Sequence, residues 1–258
     1  MARFCKNCFV LLLPLILILT SCNEEEIDIA KKRIKEIELD NILLTFHYED
    51  DRIVRISTDS EFDFENIFEY DDEGRVIRMI TQHNDSIISG EKIISYPDNG
   101  DIQMESRLKF EKSYLLFHIS GNQNQRYIEG FDVCSEEDEC TPADTFEHEY
   151  DREGNLLKTS IFNIGATTPW QETEFSYDGQ FSPLNPYRNA IGFIDVYYGS
   201  LPVIFNFSRN NITRRRLNDF RRTWTIEYEY EYDDNGYPVS VQQVGQSEKY
   251  ALYRWEEY

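Results

Sequence analysis

The chain has 258 residues, with 26 Lys and Arg against 48 Asp and Glu, a net charge of −22. So negative a chain repels phosphate backbones and anionic lipid heads, which argues against nucleic acid as a partner. Seventeen Tyr, seventeen Phe and 40% hydrophobic residues are enough for an ordered core and argue against disorder. Length alone leaves open one large all-β domain or two small ones.

Residues 1–21 have the layout of an export leader. Arg3 and Lys6 form a positive start, Phe9 to Leu19 an apolar run of 11 residues, and small or polar residues follow at once. A membrane-spanning helix needs about 20 such residues. The end of the leader, Leu19-Thr20-Ser21-Cys22, resembles a bacterial lipobox, which implies cleavage before Cys22 and acylation of its thiol and new amino group. An ordinary secretory peptide with an incidental Cys is the alternative. Cys5 and Cys8 have C-x-x-C spacing, but they lie in the discarded leader. Without Arg3 and Lys6 the charges are 24 against 48, a net −24.

Residues 22–33 read as an acidic, flexible tether. Asn23-Glu24-Glu25-Glu26 resembles the surface-export signal of Bacteroidetes lipoproteins, with a generic acidic tether as the other reading. The expectation is a protein of the cell envelope, held by a lipid on Cys22, in the outer membrane and on its surface.

From Ile34 the pattern switches to period two. Lys35 to Leu39, Thr45 to Tyr48 and Ile53 to Ile56 alternate or cluster β-branched and aromatic residues as half-buried strands do. A phrase then recurs. Tyr70-Asp71-Asp72-Glu73-Gly74-Arg75-Val76 returns at Tyr96-Pro97-Asp98-Asn99-Gly100, at Tyr150-Asp151-Arg152-Glu153-Gly154-Asn155-Leu156 and at Tyr232-Asp233-Asp234-Asn235-Gly236-Tyr237. Each copy reads as strand, tight turn, strand, with Gly74, Gly100, Gly154 and Gly236 in the left-handed turn position. Tyr48 to Arg55 is the same phrase without its Gly. The tyrosines at 48, 70, 96, 150, 177 and 232 stand at single steps of 22 to 27 residues or double steps of 54 and 55. Degenerate copies near Leu116 to Asn122 and Phe205 to Thr213 fill the gaps, so about eight hairpins follow, none able to bury its apolar face alone.

Trp224 to Tyr232 alternates aromatic or aliphatic residues with Thr and Glu, and Tyr250 to Trp255 closes the chain as another strand. Glu-rich strands suit the edges of a long sheet. Pro183, Pro186 and Pro202 exclude a central strand between 178 and 202, where Asn189 to Tyr198 reads as a short strand or helix. With no Gly/Ser linker, residues 34–258 are one all-β domain. It is a long antiparallel meander forming one twisted or curled sheet, open and barrel-like, with little helix apart from the signal peptide.

The Tyr-Asp-x-x-Gly-Arg/Asn-Val/Leu phrases resemble degenerate YD repeats of Rhs-type shells. The whole chain is similar to domain-of-unknown-function lipoproteins of the Bacteroidetes, which also carry counterparts of Tyr177-Asp178 to Asn185-Pro186-Tyr187, of Ser208-Arg209-Asn210-Asn211 and of Tyr230 to Pro238. The resemblance implies an extracytoplasmic β protein and brings no chemistry with it. Residues 101–148 depart most from the pattern.

Candidate sites are few. Cys134 and Cys140, with five residues between them, read as a small-loop disulfide in an exported protein; a metal site built from that loop is the alternative. Asp-rich turns such as Asp71 to Gly74 lack the spacing of calcium loops. His47, His83, His118 and His148 are scattered, and His148 between Glu147 and Glu149 reads as solvent-facing or cross-strand paired. Arg214, Arg215, Arg216, Arg221 and Arg222 are the one basic cluster, a candidate contact for an anion or partner unless they pair with Glu227, Glu229 and Glu231. Asp85-Ser86-Ile87 resembles the O-glycosylation acceptor of Bacteroidetes exported proteins, which would modify Ser86; a plain loop is the other reading. No catalytic residue, metal ligand or cofactor site is assigned. The leading expectation is a non-catalytic module binding a glycan or protein. Alternatives are an extracellular hydrolase with a carboxylate pair and a structural protein of envelope assembly.

Overall fold

The computed structural model describes residues 32–39, 42–59, 64–83, 87–97, 102–108, 113–122, 125–182, 184–187, 208–219 and 221–258. Cys22, Ser86, Gly100 and the stretch Asn189 to Tyr198 lie outside the described residues.

Sixteen strands follow one another as an antiparallel meander. The first eight are Lys32–Leu39 (β1), Ile42–Glu49 (β2), Arg52–Asp59 (β3), Phe64–Tyr70 (β4), Val76–His83 (β5), Ile87–Ser95 (β6), Ile102–Leu108 (β7) and Ser113–Asn122 (β8). The second eight are Gln125–Ser135 (β9), Cys140–Tyr150 (β10), Leu156–Asn163 (β11), Gln171–Phe181 (β12), Asn210–Asp219 (β13), Thr223–Tyr232 (β14), Pro238–Gln243 (β15) and Lys249–Glu257 (β16). A single 3₁₀ turn, Asn185–Tyr187, is described in the connection between β12 and β13.

The sheet is closed, which corrects the open curled sheet expected from the sequence. β1 pairs with β16, with Ile34 opposite Trp255 and Ile37 opposite Tyr253. Side chains reinforce the seam: Arg254 reaches Glu36 at 2.7 Å and Glu38 at 2.6 Å, and Arg33 reaches Glu256 at 2.6 Å. Closure removes edges, so the expectation of Glu-rich edge strands also falls. β14, the most Glu-rich strand, lies between β13 and β15, and its glutamates point outward.

Alternation decides which face is inside. Ile34, Ile37, Leu44, Phe46, Ile53, Ile56, Phe68, Val76, Met79, Val241, Ala251 and Tyr253 are almost fully buried in one cluster, together with Leu184 from the β12–β13 connection. Each such side chain contributes roughly 1.5–3 kcal/mol by leaving water. The outer face carries charge around its circumference. Arg55 pairs with Glu65, Arg78 with Glu69 and Glu91, His118 with Asp132, Lys158 with Glu172, Arg216 with Glu174, and Lys249 with Glu231. A barrel that crosses a bilayer has the reverse pattern, with an apolar band outside.

The recurring phrase has a physical anatomy. In three copies the Asp carboxylate accepts the backbone N–H groups two and four residues on: Asp71 from Glu73 and Arg75, Asp151 from Glu153 and Asn155, and Asp233 from Asn235 and Tyr237. The Gly three residues on adopts a positive φ, +76° at Gly74 and +81° at Gly236, where a side chain would be strained. Where the Gly is missing, Asp50 takes the left-handed position at φ 54°.

The Tyr ties each hairpin to its predecessor. The β3–β4 ladder ends at the Arg55–Ile67 pair, and beyond it the Tyr70 hydroxyl donates to the Ile53 carbonyl at 2.5 Å. In the same way Tyr48 donates to Ile34 at 2.6 Å, Tyr96 to Val76 at 2.8 Å and Tyr177 to Leu156 at 2.6 Å. Each phenol supplies the partner that a splayed strand end denies its carbonyl. The residue before that carbonyl is often Arg, and its guanidinium lies over the same Tyr ring: Arg33 on Tyr48, Arg52 on Tyr70, Arg75 on Tyr96. Burial pushes the Tyr70 phenol up to about 12, so the donor form persists well into the alkaline range.

Candidate functional site

The regular phrase is interrupted between β12 and β13. Asp178 Oδ1 accepts the N–H of Gln180, two residues on, at 2.9 Å. Its second N–H comes from Asn211, at 3.3 Å, not from the residue four positions on. Asn211 therefore stands where Arg75 stands in the regular turn, and the segment between Gln180 and Asn211 is an expansion of one turn of the repeat. A buried polar network holds its two ends. The Asn155 and Asn210 side chains bond each other at 3.0 Å, with Asn155 also accepting the Asn210 N–H. Ser208 donates to the Tyr177 hydroxyl at 2.7 Å and accepts the Leu156 N–H at 3.0 Å. Tyr232 donates to Asp178 and accepts from the Asn211 amide at 3.1 Å. The segments singled out by family resemblance, Tyr177-Asp178, Asn185-Pro186-Tyr187, Ser208 to Asn211 and Tyr232, thus belong to one construction. Residues 208–213 are not a degenerate hairpin; they are the return arm of this expanded turn.

The expansion reaches over the phrase end of the barrel. Leu184 is 1% exposed within the core, and the Tyr187 ring packs 5.5 Å from Tyr48 on β2. Inside, polar side chains on consecutive strands β3 to β7 face the same way: Thr58, Asn66, Thr81, Lys92 and Ser106. Thr81 donates to Asn66 at 2.7 Å, and Lys92 is 4% exposed.

The arginine cluster is divided, not shared. Arg214 lies 3.9 Å from Glu227 and Arg216 lies 3.1 Å from Glu174, both on the outer face. Arg215 alternates inward between Phe175 and Ile226, and burial lowers its pKa, opposed by the nearby Tyr228 and Tyr250 phenols. Arg221 and Arg222 sit at the β13–β14 turn, where Asp219 accepts their backbone N–H groups at 2.7 and 2.9 Å. The candidate anion contact thus reduces to Arg221 and Arg222. They stand on the rim opposite the phrase end, flanked by the β11–β12 and β15–β16 hairpins.

Cys134 and Cys140 are joined by a disulfide directly across the β9–β10 pair. Tyr114 covers it, donating to Asp138 at 2.8 Å. Both thiols are thereby taken from any metal, and among the described residues no group of three or more His, Cys, Asp or Glu is placed to hold one. His148 faces Thr159 across the strand pair at 3.1 Å.

One pair escaped sequence reading. His47 Nε2 and Ser57 Oγ lie 2.9 Å apart on the outer face. The other ring nitrogen faces the Arg55 guanidinium at 3.4 Å, where a catalytic triad needs a carboxylate. Arg55 can only donate, so Nδ1 accepts and Nε2–H donates to Ser57, leaving no lone pair to take the serine proton. Burial and then Arg55 also lower the imidazole pKa.

The turn aspartates carry a pH signature. For Asp71 the Arg75 N–H is the main cause of a lowered pKa. For Asp151 and Asp233 burial pushes upward, but hydrogen bonds, first from Asn155 and from Lys32 respectively, outweigh it. A depressed native pKa means stability that is complete above the unfolded value of about 3.9 and lost as pH falls through the native one. Urea midpoints should fall as the pH drops below about 4, and Asp151→Asn, which keeps the turn acceptor but cannot titrate, should flatten that limb. An unchanged limb would remove these turns from the acid transition.

No family model matches the sequence, and no curated protein matches it. Two solved structures are similar in fold. A porin-like protein from Bacteroides uniformis superposes with a TM-score of 0.52 at 13% identity, covering 88% of this chain and 97% of that one. A porin-like protein from Bacteroides vulgatus gives a TM-score of 0.47 at 10% identity, over 87% of this chain and 98% of that one. At such identity the first likeness shows the closed all-β barrel and nothing of its chemistry.

Proposed function

We propose that this chain is a non-catalytic, lipid-anchored protein of the bacterial outer membrane, whose barrel stands in water and binds a ligand at its exposed surface. The observation that carries the reading is the ring of ion pairs on the outer face over an apolar interior. Arg or Lys facing lipid at the bilayer midplane costs roughly 2–4 kcal/mol each. Attachment then falls to the leader and an acylated Cys22, and the porin-like neighbours are followed in fold without membrane insertion. The Tyr-to-carbonyl ties support kinship with YD hairpin proteins.

A hydrolase working through two carboxylates calls for an acid held above its ordinary range. The carboxyls with shifted values, Asp71, Asp151, Glu172, Asp219, Glu231 and Asp233, all go down, because N–H, ammonium or hydroxyl donors hold the charged form. That disfavours the enzyme reading. The test is fractionation of the native host. Cys22→Ser should move the protein from the membrane to the soluble fraction, where it stays dispersed without detergent. Retention of the variant in the membrane would overturn the reading.

A further inference from the structure

Two arginines stand apart from the charge pattern of the barrel. Arg33, Arg55, Arg78, Arg216 and Arg254 each lie within 3.3 Å of a carboxylate oxygen. Among the described residues neither the Arg221 nor the Arg222 guanidinium has such a partner, although acids outnumber bases 48 to 26. Both are exposed. Their backbone is fixed by Asp219, and the turn is braced by Thr223 donating to Asn218 at 2.8 Å. The Arg222 guanidinium lies 4.7 Å from the Trp224 ring centre, which holds its long side chain extended. Hairpins on both sides present apolar side chains to water, Ile164 at 58% and Val244 at 45% exposure. Trp170, half-buried, anchors the first of them through its N–H to Ile161 at 2.8 Å.

We propose that this rim, formed by the β11–β12, β13–β14 and β15–β16 hairpins, binds an acidic polysaccharide: sugar rings rest on the exposed apolar side chains, and uronate carboxylates meet Arg221 and Arg222. Arg presents paired donors that match a carboxylate. The surrounding acid excess selects the kind of anion. Screening confines each charge to a reach of about 8 Å at physiological salt, so two arginines serve isolated carboxylates. A densely charged polyanion such as nucleic acid would extend over the acidic wall and be repelled. An acidic peptide offers carboxylates but no rigid ring face for the apolar flanks. The proposal rests on the reading of the barrel as a water-exposed binding protein, and it names the ligand class.

The test is calorimetric titration of the full-length, lipid-bearing protein in detergent micelles with tetragalacturonate. The methyl-esterified tetramer and a short poly-glutamate serve as comparisons. Binding of the free acid, weakened by salt and lost on esterification, is expected. The double variant Arg221→Gln, Arg222→Gln should weaken it about tenfold or more, because charge-assisted hydrogen bonds are lost. Its melting curve should stay at the wild-type position, since neither guanidinium holds an ion pair. No binding of tetragalacturonate, equal binding by the double variant, or poly-glutamate binding as tightly would overturn the proposal. The Cys22→Ser fractionation is independent of all three outcomes, so a failure here is distinguishable from a failure of the anchored-barrel reading.

Discussion

Asp178→Ala is expected to lower the unfolding free energy by about 3 kcal/mol, well beyond the loss from Asp71→Ala in a regular turn. Asp71 serves a four-residue loop in water, and its N–H partners can turn to solvent. Asp178 accepts from Gln180, from the Asn211 backbone and amide, and from Tyr232. Asn211 is only 3% exposed. Removing the carboxylate strands buried donors, each costing about 1–3 kcal/mol when left unpaired. The expanded turn also has far more chain entropy to constrain than a tight loop, so its anchor has less local support. Urea titrations of the two variants check this. Equal losses would mean that Asn211 does not substitute for the fourth residue of the turn.

Tyr253→Ala should cost about 3–5 kcal/mol, the range for removing a large buried aromatic side chain. Tyr253 is 6% exposed and faces Ile37 across the seam between the last strand and the first. Leu252, its neighbour, points outward at 37% exposure, and Leu252→Ala should cost less than about 1 kcal/mol. The contrast tests closure. In an open sheet β16 would be a terminal strand with one partner, and truncating its side chains would be cheap on either face. Similar small losses for both variants would show that the seam is not formed in solution.

The hairpin phrase was legible because everything it needs is local. Asp at the turn entrance, Gly three residues on and alternation on both sides act within ten residues, so strands could be read around Tyr70, Tyr150 and Tyr232 without a fold. The role of the phrase's Arg was not legible, since Arg52 meets Tyr70 only after an intervening hairpin folds back. Nor was the expanded turn. Ser208 to Asn211 resembled a further turn because its residue types suit one, whereas its partners, Asn155, Tyr177 and Asp178, lie 30 or more residues earlier. A signal was nonetheless present: Tyr177-Asp178 opens like every other copy and lacks its closing half.

The same division runs through the candidate site. Period-two alternation puts Arg215 on the opposite face from Arg214 and Arg216, but nothing local says which face is inside. Register shifts such as that between Ser176 and Tyr177 reset the parity, and only the assembled barrel decides. By itself, then, the sequence determined an all-β meander of hairpins and the turn chemistry that joins them, because those depend on neighbours along the chain. The tertiary structure alone decided three things: that the sheet closes through strands more than 200 residues apart, that its charged face looks outward, and that Arg221 and Arg222 remain unpaired at the rim. Each turns on which distant residues meet, and such meetings are set by the burial of the whole cluster, not by any single stretch of chain.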